Sequence, residues 1–96
     1  MSIPQDVITW VEHNFSHSET ELALSMLDTA MIEDGSPASP RLLRCAAVGS
    51  RGKIDLLTHL IQELRVDWRD VIVSGEYEIN GDNWLKVHDF EQPIKD

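Results

Sequence analysis

The first forty residues contain no lysine or arginine, yet they carry seven acids: Asp6, Glu12, Glu19, Glu21, Asp28, Glu33 and Asp34. Cysteine is nearly missing too. A lone Cys45 cannot close an internal disulfide, which fits a reducing, cytoplasmic setting. No apolar run approaches the roughly 20 residues that a bilayer-spanning helix needs. The opening Met1-Ser2-Ile3-Pro4-Gln5-Asp6 has neither the basic nor the apolar segment of a secretory signal. Aromatic residues make up only 6% of the chain, so three tryptophans among them stand out.

What is present is ordinary for a globular protein: 42% apolar and 26% charged residues in a 96-residue chain. One domain is the expectation, burying roughly 60–70% of its unfolded surface without disulfide or metal. The net charge of −9 makes the chain a poor ligand for nucleic acid or an anionic membrane. That charge is unevenly spread. Residues 41–69 hold six cations (Arg41, Arg44, Arg51, Lys53, Arg65, Arg69) against three acids, and residues 70–96 hold seven acids against two lysines. The order is acid, base, acid. Either folding lays the basic middle against its flanks, or the flanks form a face for a basic partner.

Apolar periodicity predicts a mainly α fold. A first helix runs from about Pro4 to Phe15, entered from Ser2 or Ile3, with Ile3, Val7, Ile8, Val11 and Phe15 on one face and Trp10 off it. Ser18-Glu19-Thr20-Glu21 has capping-box spacing for a second helix, whose stripe is Leu22, Ala23, Met26, Leu27, Ala30 and Met31 and whose stop is Gly35. Ser39-Pro40 opens a third helix carrying Leu42, Leu43, Ala46, Ala47 and Val48. Gly49-Ser50-Arg51-Gly52 breaks it, and Ile54, Leu57, Leu60, Ile61 and Leu64 mark a fourth helix, antiparallel to the third, from Lys53 to Leu64. Asp67-Trp68-Arg69-Asp70 caps a short fifth helix that carries Val71, Ile72 and Val73 and ends at Gly75. Beyond it, Tyr77-Glu78-Ile79 and Trp84-Leu85-Lys86-Val87 flank Asn80-Gly81, a favoured hairpin dipeptide. The fold class expected is a compact bundle of four to five short helices with a possible small C-terminal β-hairpin.

Several chemistries are suggested as text and fail on context. His13 and His17 have metal-ligand spacing on a continuous helix, but the first helix ends between them and Asn14 stands where a zincin has glutamate. A cap at the helix C-terminus suits them better. Ser50-Arg51-Gly52-Lys53 matches S-x-x-K without the larger fold that makes the serine a nucleophile. Read as a phosphate loop, Gly52-Lys53 lacks the following Ser or Thr, although the basic turn can form a backbone anion nest. Cys45 sits on an apolar helix and reads as a small core residue, with Arg41 and Arg44 the argument for a reactive thiolate. His59 falls on the polar side of its helix. No carboxylate pair has the apolar setting of a hydrolytic dyad.

No catalytic, cofactor-binding or metal residue is therefore assigned, and no cofactor is expected. Trp10, Trp68 and Trp84 are the informative side chains, because tryptophan among charges marks either a core edge or a binding hot spot. Trp68, with Asp67, Arg69 and Asp70, is the candidate partner-binding group. The sequence predicts a non-enzymatic protein-interaction module of the accessory, inhibitor or immunity type. It would bind a protein with a basic surface, and neither nucleic acid nor membrane directly. Its rivals are an acidic nucleic-acid mimic and a small anion-binding domain or enzyme using Arg41–Lys53.

Overall fold

The computed structural model describes residues 3–94, so Ser2, one of two entry residues proposed for the first helix, lies outside the described residues. Four helices and a hairpin follow in order: α1 (Gln5–Asn14), α2 (His17–Asp28), α3 (Pro40–Gly49), α4 (Ile54–Glu76), β1 (Tyr77–Asn80) and β2 (Asn83–Lys86). The periodic faces do what periodicity requires. Val7, Val11, Phe15, Ala23, Leu27, Leu42, Leu43, Ala46, Ala47, Leu57, Leu60, Leu64 and Val71 share a buried core.

α3 keeps its sequence signals. Ser39 is the N-cap, its Oγ accepting the Leu42 N–H at 3.3 Å, and Pro40 occupies the first turn, where its missing N–H costs nothing. At its far end the Gly49–Gly52 turn reverses the chain. Ser50 is fully buried, its Oγ donating to Ala47 O at 2.6 Å and accepting the Gly52 N–H at 3.4 Å. Both Arg51 (φ 56°) and Gly52 (φ 77°) are left-handed, and a Cβ on Gly52 would collide with the Asn14 carbonyl oxygen. Gly52→Val should therefore cost about 2 kcal/mol or more, from a forbidden φ and from the push against α1. Denaturant unfolding measures it, and an unchanged midpoint would contradict this backbone geometry.

Both ends of the second helix differ from the sequence reading. α2 starts two residues early, at His17, with Ser16 as N-cap; the Ser16 hydroxyl donates to the Glu19 carboxylate at 3.0 Å, and the Ser16 side chain makes no capping bond to the backbone. Phe15, the α1 C-cap, is buried immediately before it. α2 also ends at Asp28, well before Gly35. Ala38 N–H bonds to Ala30 O, Ile32 N–H to Ser36 O, and Met31 bridges Pro37, so residues 30–38 fold back as a narrow loop in which Gly35 (φ 84°) makes the turn. Leu22, placed on the core stripe by its spacing, is 52% exposed. It stands about 100° round the helix from Ala23, at the stripe's edge.

The expected fourth and fifth helices follow one another within α4, and the break between them falls at Asp67, whose φ of −155° and ψ of 99° are extended. Asp67 Oδ1 accepts the Arg69 N–H at 3.1 Å, so this residue caps the segment after the kink as its type and position suggest. The hairpin forms, with Tyr77 opposite Lys86 and Asn80 opposite Asn83. That register makes Gly81 and Asp82 the turn residues in place of Asn80 and Gly81. Gly81 (φ 65°) sits at the first central position, where a type II′ turn requires it. Every residue of β2 is exposed, although Trp84 borders Asp70 and Val73 of α4 across a shallow opening.

Candidate partner-binding site

The Asp67 kink positions Trp68. By interrupting α4 it turns Trp68 inward against the core, half-buried, while Arg69 and Asp70 remain exposed. Asp67 Oδ1 also accepts Arg69 Nε at 3.0 Å, and the guanidinium carbon lies 5.9 Å from the Trp68 ring centroid. The Arg69 side-chain hydrogen bond and then its backbone N–H hold the Asp67 carboxyl below the usual aspartate range. Opposite stands the 30–38 loop. Ile32 and Pro37 join Ser39, Arg41, Leu42, Ile72 and Trp68 around a cleft of about 310 Å³. The Glu33 carboxylate is near enough to act on the Arg69 charge. The loop itself is tied by Asp34, whose Oδ1 accepts the Ser36 N–H at 2.9 Å, a bond that lowers the Asp34 pKa.

Of the four residues singled out from the sequence, Trp68 lines this cleft, whose far wall comes from residues 32–42; Asp67 and Arg69 pair beside it, and Asp70 borders a separate opening with Val73, Tyr77 and Trp84. Those wall residues carried no sequence signal for this role. The other two tryptophans differ. Trp10 is half-buried, edge-on to Phe15 with centroids 6.2 Å apart, whereas Trp84 on β2 is largely exposed.

A second charged cluster realises the pairing of the basic middle with its acidic flanks, through pairs the sequence did not single out. Glu76 is fully buried and receives Arg41 in bidentate fashion, Nε to Oε2 at 2.8 Å and Nη2 to Oε1 at 2.9 Å, with Lys86 Nζ 3.6 Å away. One turn along α3, Arg44 binds Asp6 through Nε at 2.9 Å and Nη2 at 3.3 Å. The two pairs clamp the C-terminal segment. Phe90 N–H donates to Glu76 Oε2 at 3.3 Å, Phe90 O accepts from Arg44 Nη1 at 3.1 Å, and Ile94 N–H donates to Asp6 Oδ2 at 3.0 Å. The buried Phe90 ring is thereby locked into the core. The Arg41 hydrogen bonds, opposed by burial and aided by the Phe90 N–H, leave the Glu76 carboxyl below its ordinary range. Burial raises Asp6, but the Arg44 and Ile94 bonds outweigh it and the net shift is downward.

This cluster accounts for much of the acid-base-acid layout: the basic middle meets Asp6 from one flank and Glu76 and Glu91 from the other. It also settles the surroundings of Cys45, whose Sγ lies 3.7 Å from Glu76 Oε2. Burial first, and then the Glu76 charge, push the thiol up to about 12, far from a reactive thiolate. His13 and His17 lie exposed on separate helices. Among the described residues, no three His, Cys, Asp or Glu side chains are grouped to hold a metal, and no helix is long and apolar enough to cross a membrane. Compared with protein-family models, with curated proteins and with solved structures, the chain matches none.

Proposed function

We propose that the protein is a non-enzymatic interaction module that binds a basic protein partner through the Trp68 cleft. The observation that carries this reading is a cleft walled mainly by Ile32, Pro37, Leu42, Ile72 and Trp68, with Ser39 and Arg41 also lining it and the Asp67–Arg69 pair beside Trp68, in a chain of net charge −9. An apolar side chain of the partner fills such a cleft, and cations beside it meet Asp67, Asp70 and Glu33. The rival anion-binding reading draws on the Arg41–Lys53 region, in which the Arg41 and Arg44 guanidinium groups already face Glu76 and Asp6. A ligand anion at Arg41 and Arg44 would have to displace both carboxylates.

The test is capture of the partner from the native cell, followed by binding kinetics at low and high salt. Association should slow as salt rises. Trp68→Ala should weaken binding by about 2 kcal/mol, mostly through faster dissociation, in protein whose melting curve shows it still folded. Salt-insensitive association, or wild-type dissociation from a folded Trp68→Ala variant, would refute the proposal.

A further inference from the structure

The outer edge of β2 is unpaired among the described residues, and its exposure is apolar. Ile79 is 65% and Trp84 58% exposed, and they are cross-strand partners on one face of the hairpin. Two strands alone are marginal in water, and a bare edge invites another strand. The backbone sets which residues that edge presents. Val87 N–H bonds to Glu76 O at 2.7 Å, one step beyond the Tyr77–Lys86 pair. Alternation then turns the backbone groups of Val87, Leu85 and Asn83 toward β1, and those of Lys86 and Trp84 outward.

We propose that this edge pairs with the same edge of a second copy, antiparallel about a two-fold axis at Trp84. Symmetry requires that outward-facing residues meet outward-facing residues. With Trp84 opposite Trp84 of the second copy, Lys86 falls opposite the second copy's Asp82, and Asp82 opposite its Lys86. Shifting the axis to Lys86 or to Asp82 instead sets like charges against each other, which is destabilising. The sequence Asp82-Asn83-Trp84-Leu85-Lys86 is thus complementary to itself reversed. The resulting four-stranded sheet has an unbroken stripe of Ile79, Trp84, Trp84 and Ile79 across one face. Lys86 Nζ also faces Glu76 at 3.6 Å and Asp89 at 3.8 Å, and an ammonium with three donors serves the second copy's Asp82 as well. This pairing is independent of the Trp68 cleft.

Sedimentation velocity on the full chain, from about 5 µM to about 500 µM, covers the affinity expected of so small an interface. The wild type should show a reversible monomer–dimer equilibrium. Asp82→Lys and Lys86→Asp should each weaken it on the order of tenfold, because each replaces two attractive pairs by two repulsive ones. An equimolar mixture of the two variants should recover wild-type dimer as a heterodimer, since every cross-edge pair is again opposite in sign. Trp84→Pro removes an outward N–H without breaking the β1–β2 ladder and should leave monomer. Circular dichroism establishes which variants are folded; if Lys86→Asp fails there, Asp82→Lys and Trp84→Pro carry the test. A wild type monomeric throughout, a dimer indifferent to Asp82→Lys and Trp84→Pro, or a mixture of folded variants that does not recover would overturn the proposal.

Discussion

Gly75→Ala should destabilise the protein by about 3 kcal/mol, at the upper end of what overpacking a core costs. In an ordinary helix interior the same change gains nearly 1 kcal/mol, because alanine is the better helix former. The sign is reversed here by the approach of α3 to α4. A Cβ built on Gly75 would lie 2.7 Å from Cys45 Cα, 2.8 Å from its Cβ and 2.9 Å from its carbonyl oxygen. Two of those three atoms are backbone, so no rotamer change relieves the contact and the helices themselves must separate. Gly49 stands beside the same crossing, its own built Cβ 3.7 Å from Gly75 Cα. Separation would loosen the packing of α3 on α4 within the shared core, including Leu60, which approaches Gly49. Ser74→Ala, one residue earlier and exposed, serves as the control and should shift stability by less than about 0.5 kcal/mol. Guanidinium unfolding of the two variants decides it. Equal stabilities for both would mean the helices are farther apart than described here.

Gly75 also shows where a sequence stops being legible. Read locally, it is a helix terminator, and α4 does end one residue later. Its tighter constraint comes from Cys45, thirty positions earlier, and no local pattern carries that. The same division runs through the molecule. α3 was readable because its signals are local: a serine cap, a first-turn proline, apolar residues at helical spacing. The start of α2 was ambiguous because two S-x-x-E frames overlap, Ser16–Glu19 and Ser18–Glu21, and the helix begins after the first serine. The Trp68 group was legible as charges around a tryptophan, whereas the cleft it borders depends on a loop closed by Ala30–Ala38 pairing. Glu76 looked like one more acid in an acidic tail. Its partners stand at positions 41, 86 and 90, so nothing near it in the chain announces that it is buried.

Glu76→Ala should remove about 3 kcal/mol at neutral pH and free the C-terminal segment. Breaking one partner out of a buried ion pair costs roughly 3–5 kcal/mol when the other charge is trapped. Arg41 is 31% exposed and keeps Glu91 within reach at 3.4 Å, so part of that cost is recovered by water and by the second carboxylate. What is not recovered is the anchoring of the chain. Phe90 N–H loses its acceptor, Lys86 loses its nearest carboxylate, and the buried Phe90 ring has only the Arg44 bond to its carbonyl to hold it. Glu76→Gln keeps the size and one acceptor oxygen but loses the charge, and should cost roughly half as much. The pH dependence follows from the sign of the shift. The folded carboxyl sits below its ordinary value, so its contribution is complete above the unfolded glutamate pKa, roughly 4.3. It is then lost as pH falls through the lower folded value. Asp6 is shifted in the same direction and adds to the acid sensitivity of both proteins. Wild type should therefore lose more stability than Glu76→Ala between neutral and strongly acidic pH, and the two should converge. Denaturant unfolding at pH 7 and at low pH gives that comparison. Hydrogen exchange at the Phe90, Val87 and His88 amides, all bonded to Glu76 atoms in the wild type, reports whether the segment is released. A loss under about 1 kcal/mol at pH 7, or a gap between the two proteins that does not narrow with acid, would mean that Glu76 is not the anchor of the C-terminal segment.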